Sequence, residues 1–338
     1  MRGRFPALQG LRLVAFVFVF LAHAAGNGYA HVLYLANLGS VSVQFFFVLS
    51  GFLCAYHHLA AGAPALGPWY GLRRARRFYP LHFATFLAMA ALLAAQGAAW
   101  DGPRLRAALL QVFLLQSWSV EAAISFNGAA WFVSCLCAIY AALPFFVRWT
   151  RALSQRQVLA VFSLLVVCRC AVDVFYLREW SCYGVDPAVV WLYVCPLSRV
   201  SDFLLGFWGW RLLAAAPVPA SEGARSLRLG ALLVLLAALM VLCPPFPGAR
   251  HCLPVMVSLL LLLVVWAACA PGRLFLRLLG GGLLARGGDL SFEMYLIHLP
   301  VLHWLLFLWP QGGVGGGLAT CLVSLVISLG VHRMRARG

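Results

Sequence analysis

Arg12 and His23 lie at the two ends of the first apolar stretch of the chain, which runs from residue 11 to residue 23. If this stretch crosses a membrane, the imidazole of His23 lies near the middle of the bilayer, where ionisable side chains are costly and usually functional. Histidine changes its protonation state near neutral pH and can therefore accept a proton from a hydroxyl group. A hydrogen bond that only packs two helices together is the alternative role. The residue types thus indicate acid–base chemistry inside a membrane as one of two roles.

The composition predicts that the elements holding these residues are membrane helices. Of the 338 residues, 64% are hydrophobic and 10% are charged, and the mean hydropathy is +0.92. Such a chain is too apolar for a soluble globule and is typical of an all-α polytopic membrane protein. All 25 basic residues are arginine. Because arginine clusters recur between apolar runs, we assign the net charge of +16 to membrane topology and predict no nucleic-acid partner.

Ten apolar segments are long enough to be predicted as transmembrane helices. They are 11–27, 38–60, 78–96, 129–147, 157–178, 188–210, 227–243, 252–270, 290–309 and 317–332. An even number of spans places both termini on one side, and most of the arginines fall in the loops and termini of that side. By the positive-inside rule that side is the cytoplasm. The sequence therefore predicts a multi-pass protein of the cell (inner) membrane, embedded in the lipid bilayer, with both termini cytoplasmic.

One further apolar segment, 107–118, is too short to be an ordinary span. At the helical rise per residue it covers about 18 Å of a hydrocarbon core about 30 Å thick. Counting it as a span would also reverse every later loop against the arginine bias. We therefore predict a short re-entrant or interfacial helix there. The remaining loops are too short for a soluble domain, so residues 1–338 are predicted to form a single integral-membrane domain.

The eleven cysteines give no indication of a metal site. They show no CxxC pair and no Cys/His spacing typical of zinc ligands, and most lie inside the predicted spans. No metal cofactor is therefore expected. Cys243 and Cys252 flank one predicted external loop, and they could form a disulfide in an oxidising compartment.

Five motifs distributed over nearly the whole chain form a set. They are Arg4-Phe-Pro-Ala-Leu-Gln-Gly-Leu-Arg12 followed by His23, Val43-Gln-Phe-Phe-Phe-Val-Leu-Ser-Gly-Phe52, Arg73-Arg-Ala-Arg-Arg-Phe-Tyr-Pro80, Arg199-Val-Ser-Asp-Phe-Leu-Leu-Gly206 and Leu290-Ser-Phe-Glu-Met-Tyr-Leu-Ile-His-Leu-Pro300. Together they resemble the integral-membrane acyltransferase family often called acyltransferase 3. That family includes bacterial O-acetyltransferases that act on polysaccharides, antibiotics and other glycosides.

The resemblance implies roles for the charged residues of the first and third motifs. His23 would be the catalytic base, assisted by Arg12. Four arginines would hold the phosphates of coenzyme A: Arg73, Arg74, Arg76 and Arg77. Arginines three residues apart on a helix share a face, and each guanidinium can bind phosphate through two hydrogen bonds. Without the resemblance, the positive-inside rule or contact with anionic lipid would explain the same cluster.

The other motifs combine structural and substrate roles. Four of their residues are predicted either to contact the substrate or to serve the structure: Arg199, Asp202, Tyr295 and His298. Arg199 and Asp202 lie on one helix face and could neutralise each other, which lowers the cost of burying either charge. Arg169 and Asp173, in the preceding span, form a second such pair. Gly51 and its neighbour Ser50 give a small face, which we assign to close helix packing.

The chain departs from the family pattern at two places. Gln9 stands where the family often has Asp. The stretch Trp131–Pro144 retains the family's Trp, Tyr and Pro, but its Glu is missing near Leu136. Asp101 or Glu121, in the preceding loop, could supply the missing carboxylate.

The sequence therefore predicts a membrane-bound O-acyltransferase. It would move an acetyl or other short acyl group from acyl-CoA, most simply acetyl-CoA, to a hydroxyl group of a carbohydrate or glycoside acceptor. A transporter of a sugar-like or anionic solute is the alternative, because intramembrane Arg, Asp and His residues also line solute pathways. A catalytically inactive relative is the third possibility.

Overall fold

The computed structural model describes residues 5–26, 35–60, 63–183, 193–242 and 254–337, and these residues form helices joined by loops, with no strand among them. In chain order the helices are α1 (Pro6–Gly26), α2 (Leu35–His58), α3 (Tyr70–Ala95), α4 (Gly102–Val112), α5 (Val120–Ala123), α6 (Trp131–Ala152), α7 (Gln155–Tyr183), α8 (Pro196–Leu213), α9 (Glu222–Leu242), α10 (Pro254–Cys269), α11 (Arg273–Leu279), α12 (Gly282–Leu308) and α13 (Gly313–Arg337). A 3₁₀ turn, Gln116–Trp118, lies between α4 and α5. The predicted all-α class is confirmed.

Eight described helices are long and apolar enough to cross a membrane: α1, α2, α3, α6, α7, α9, α12 and α13. Helices α10 and α11 meet at an angle of 102° and make a ninth span if they are counted as one broken helix. Helix α8 covers the predicted span 188–210 from Pro196 onward and carries three charged side chains. The count of ten spans and the cytoplasmic termini stay predictions. Cys243 and Cys252 lie outside the described residues.

The segment predicted to be too short to span forms α4 and the 3₁₀ turn. Asp101 caps the start of α4, because its carboxylate accepts a hydrogen bond of 3.0 Å from the backbone N–H of Arg104. After α4 the chain is irregular and partly buried, and buried side chains bond to its backbone. The amide of Gln111 donates to the carbonyl oxygen of Ser125 at 2.7 Å, and that of Gln116 donates to Ala130 at 3.0 Å. These bonds hold the loop in front of α6.

Two glycines allow α2 and α8 to approach backbone to backbone. A Cβ atom on Gly51 would collide with the carbonyl oxygen of Phe203, and a Cβ on Gly206 would collide with that of Val48. Any side chain at either position would force the helices apart. The packing role predicted for Gly51 is therefore confirmed, and α2 is fixed against α8 along the second and fourth motifs.

A similar approach joins α1 and α12. A Cβ atom on Gly288 would collide with the carbonyl oxygen of Gln9, so the first turn of α1 lies in direct backbone contact with the second turn of α12. Phe16 and Val19 of α1 and Leu296 and Leu299 of α12 are buried in one apolar cluster. This contact sets the register between the first and the fifth motif.

Candidate active site

The register of α1 against α12 brings together two histidines that are 275 residues apart in the sequence. His23 Nδ1 lies 3.1 Å from His298 Nε2. His298 is completely buried, and the rings of Phe16 and Phe20 contact it edge-on, with centroids 5.8 and 6.4 Å from its own. The sequence placed both histidines among the site candidates, and the structure shows that they form one pair.

The hydrogen bonds of His298 assign the protons of the pair. Its Nδ1 lies 2.7 Å from the carbonyl oxygen of Tyr295 and 3.2 Å from that of Met294. Carbonyl oxygens only accept hydrogen bonds, so Nδ1 of His298 carries a proton. In the neutral ring Nε2 then accepts, and the donor to it is Nδ1–H of His23. Together with a hydrogen bond from His23 to the backbone of Val19, this arrangement orients the ring of His23, and we assign its basic lone pair to Nε2.

A cavity of about 390 Å³ lies at the end of the bundle where α1 begins. Four arginines from three parts of the chain line it: Arg12, Arg74, Arg77 and Arg335. The rest of the lining is mainly aromatic and aliphatic: Phe46, Leu49, Leu53, Phe78, Phe132, Leu136, Tyr140, Phe292 and Tyr295, with Ser50, Cys54, His57, His58 and Ser291. Since α1 and α13 both contribute to this lining, the start of α1 and the last turn of α13 lie at the same end of the bundle.

The arginine cluster of the third motif divides into two faces. Arg74 and Arg77 line the cavity, whereas Arg73 and Arg76 do not. Arg74 is half-buried, and the other three are exposed. Arg74 Nε donates a hydrogen bond of 3.0 Å to the hydroxyl of Tyr70, and its guanidinium lies 5.5 Å from the ring centroid of Tyr140. Of the two predicted pairs with Arg-x-x-Arg spacing, the structure therefore brings one into the cavity.

Arg12 also lies at the cavity, and Gln9 holds it. The Nη1 atom of Arg12 donates a hydrogen bond of 2.8 Å to the side-chain carbonyl of Gln9. Gln9 thus holds Arg12 through a neutral acceptor and brings no negative charge. Arg12 and His23 are eleven residues apart on α1, which corresponds to about 16 Å along the helix. Arg12 is therefore at the cavity and three turns away from the histidine pair.

Arg335 was missed by the sequence reasoning. Its Nη1 forms an ion pair of 2.7 Å with Oε1 of Glu293, a residue of α12 that is 5% exposed. The partners are 42 residues apart on two helices, so no local spacing in the sequence indicates that they form a pair. From the sequence alone, Arg335 is only one of several basic residues near the C-terminus.

Tyr295 connects the cavity with the histidine pair. Its ring lines the cavity, packs 5.3 Å from the ring of Phe132 and lies 5.8 Å from the ring of His298, centroid to centroid. Its backbone carbonyl accepts the hydrogen bond of His298 Nδ1. The inner wall of the cavity is therefore in direct contact with the pair.

Arg199 and Asp202 lie away from this cavity in a closed ionic network. Arg199 Nη1 is 2.7 Å from Asp202 Oδ2, and Arg169 Nε is 3.0 Å from Asp173 Oδ1. The two predicted pairs are joined, because Arg169 Nη1 lies 4.0 Å from Asp202 Oδ1. Ser258 of α10 donates to the same carboxylate at 2.9 Å. The network ties α7, α8 and α10 together.

Leu136 and Cys137 occupy the neighbourhood in which the resemblance places a glutamate, and Leu136 lines the cavity. Asp101 is exposed and caps α4, and Glu121 is exposed at the start of α5, so the structure places neither at the cavity. Glu293 forms an ion pair with the cavity residue Arg335, and the charge of Asp289 acts on Arg12. Among the described residues no group of three or more His, Cys, Asp or Glu side chains is placed to hold a metal ion.

Comparisons with known proteins give one family and one relative. The family model described as "Acyltransferase domain" matches residues 5–333. The chain is 29% identical over 323 residues to "Acyltransferase MdmB" of Streptomyces mycarofaciens, an alignment that covers 89% of this chain and 80% of that protein. No solved structure matches.

Proposed function

The chain belongs to the acyltransferase 3 family, and from this premise we propose that it transfers an acetyl or other short acyl group from acyl-CoA to a hydroxyl group of a carbohydrate-containing acceptor. Family membership and the apolar helices make it a multi-pass membrane acyltransferase. The donor, the acceptor, the location in the cell (inner) membrane and the role of each residue are the proposal.

The observation that carries the proposal is the distance between the cavity arginines and the histidine pair. Acyl-CoA has phosphates at one end and its reactive thioester at the end of a long, thin pantetheine arm. Arg74 and Arg77 line the outer part of the site, and Tyr295 joins its inner wall to His298. A molecule with this distribution of groups fits a site in which phosphate binding and acyl transfer are separated along the helix axis.

Phosphate binding is the role we propose for the cavity arginines. Guanidinium groups match phosphate oxygens with paired hydrogen bonds, and their charge persists at every physiological pH. Arg12, which the sequence placed beside the base, belongs with Arg74 and Arg77 because it lines the same cavity and lies about 16 Å along α1 from His23. The apolar lining would exclude water and strengthen each of these contacts.

His23 is the proposed base, and His298 is its positioning residue. His23 Nε2 removes the proton of the acceptor hydroxyl while the oxygen attacks the thioester carbonyl carbon. The carbon–sulfur bond then breaks, and the proton held by His23 passes to the leaving thiolate of coenzyme A. His298 keeps Nδ1 of His23 in the donor state, so that the lone pair at Nε2 is the one presented to the hydroxyl.

Labelled acetyl-CoA and the purified protein test this function. Turnover is measured as release of coenzyme A and transfer of label to a panel of glycosides, for the parent, His23→Ala and His332→Ala. His332 is an exposed residue of α13 that does not line the cavity, so its variant is the control for loss of a histidine outside the site. We expect His23→Ala to lose about 10²- to 10⁴-fold in kcat while it still binds coenzyme A.

Two results would contradict the proposal. A His23→Ala variant as fast as the parent would assign the base to another residue. A parent protein that neither binds coenzyme A nor consumes acetyl-CoA with any acceptor would favour the catalytically inactive relative.

A further inference from the structure

The C-terminal helix contributes a charge to the proposed donor cavity. Helix α13 packs against α12 on the outside of the bundle, and its last turn carries Arg335 into the cavity lining. The side chain of Arg335 is 34% exposed, whereas that of its partner Glu293 is 7% exposed. One partner is thus reachable from the cavity, and the other is fixed inside the bundle.

Glu293 is only partly satisfied by this contact. Its Oε1 accepts from Arg335 at 2.7 Å, but Oε2 is buried and has no hydrogen-bond partner among the described residues. A buried carboxylate oxygen without a partner is costly, so the pair is weaker than one that is fully hydrogen-bonded. The guanidinium of Arg335 has five N–H donors, of which Nη1 supplies the one to Glu293.

We propose that Arg335 is a donor-binding residue that contacts a phosphate of coenzyme A, and that Glu293 both holds it in place and restrains the affinity of the cavity. This inference rests on the proposed function. The arginine reaches the phosphate with the N–H groups that do not face Glu293. The carboxylate opposes the anion at the same time, because its own negative charge lies one side chain away.

The two partners therefore have opposite effects on donor binding. Removing the charge of Arg335 removes a charge-assisted hydrogen bond and should weaken coenzyme A binding roughly ten- to a hundredfold. Removing the charge of Glu293 leaves Arg335 in the lining and removes a repulsion, so binding should tighten by about two- to tenfold. A purely structural ion pair predicts the same sign for both changes.

The test measures coenzyme A affinity by calorimetry for the detergent-purified parent, Arg335→Gln and Glu293→Gln. Arg333→Gln is the matched control, since it removes the same charge from the exposed surface of the same helix, away from the cavity lining. The thermal unfolding midpoint of each variant shows whether the fold is intact. For Arg335→Gln we also expect the KM for acetyl-CoA to rise while kcat stays within about twofold of the parent, because the residue binds only the phosphate end.

The outcomes separate this inference from the proposed function. If the parent itself does not bind coenzyme A, the proposed function fails. If the parent binds it and Arg335→Gln binds equally well, or if both variants lose affinity together with a lowered unfolding midpoint, the inference about Arg335 and Glu293 is overturned and the proposed function stands.

Discussion

Two sets of arginines in this protein differ in how their charge is balanced. In the network of α7 and α8, Arg169 and Arg199 face Asp173 and Asp202, one carboxylate for each guanidinium. At the cavity, four arginines are accompanied by two acidic residues: Glu293, which forms an ion pair with Arg335, and Asp289, whose charge acts on Arg12. The first set is neutral and closed, and the second keeps a surplus of positive charge beside an open volume.

This difference in charge balance distinguishes arginines that stabilise the fold from arginines that are available to bind a ligand. A buried charge is tolerated when an opposite charge and hydrogen bonds compensate it, and such a group has little left to offer a ligand. A surplus of positive charge around a cavity destabilises the protein through repulsion until an anion binds there, so such a surplus indicates an anion-binding site. By this criterion we assign Arg199 to the fold and propose that Arg77 binds a ligand, although both belong to recognisable motifs.

Breaking the closed network should have the largest effect. Asp202→Ala leaves Arg199 buried without its carboxylate and removes the acceptor of Ser258. We expect a loss of about 3–5 kcal/mol in the free energy of unfolding, the cost of a buried unpaired charge. Thermal and denaturant unfolding in detergent measure it. An Asp202→Ala protein as stable as the parent would show that the network does not hold the fold.

The helix contact that joins the two regions should have the next largest effect. Helix α2 lines the cavity and α8 carries Asp202, and Gly51→Ala would push their backbones apart. We expect a loss of about 1–3 kcal/mol in unfolding free energy from this overpacking. Gly223→Ala is the control, because a Cβ atom there has open space around it. Equal stability of the two variants would disprove the close approach.

The hydrogen-bonding geometry of a cavity arginine can be tested by a substitution that retains its positive charge. Arg77→Lys keeps the positive charge but loses the planar pair of donors, so coenzyme A binding should weaken by about tenfold, with an unchanged unfolding midpoint. Arg76→Lys, one residue away on the face that does not line the cavity, should bind like the parent. If both variants keep the parent affinity, the cluster acts only through its positive charge and forms no specific paired hydrogen bonds to phosphate, as expected for contact with anionic lipid.

The smallest effect is predicted for a variant that brings the charge of the cavity closer to the balanced charge of the ionic network. Gln9→Glu adds a carboxylate beside Arg12, whose Nη1 already bonds to the side-chain oxygen at this position. The lowered surplus of positive charge should weaken coenzyme A binding by about two- to fivefold and leave the fold intact. Gln157→Glu, in the exposed first turns of α7, is the control for charge alone. An affinity increase in Gln9→Glu would contradict the surplus-charge account.

The sequence predicted the parts of this arrangement that depend on local spacing. The all-α membrane class follows from hydropathy, the shortness of 107–118 follows from its length, and the packing role of Gly51 follows from its small side chain. The pairing of Arg199 with Asp202 followed because residues three apart share a helix face.

What the sequence did not predict depends on contacts between distant helices. Nothing in the spacing of α1 or α12 indicates that His23 contacts His298, because the glycine contact between the helices sets their register. Both Arg-x-x-Arg pairs satisfy the motif, so the sequence does not indicate which of them lines the cavity. The rotation of α3 about its axis decides this. The sequence does not indicate a role for Arg335, because its partner Glu293 lies on another helix.

The most direct test of the central claim measures coenzyme A affinity and the unfolding midpoint in the same two proteins, Arg77→Gln and Arg199→Gln. We predict a crossed result. Arg77→Gln should lose about tenfold or more in affinity with an unchanged midpoint, and Arg199→Gln should show a lowered midpoint with near-parent affinity in its folded fraction. The account is contradicted if Arg77→Gln keeps the parent affinity, or if Arg199→Gln loses affinity at an unchanged midpoint.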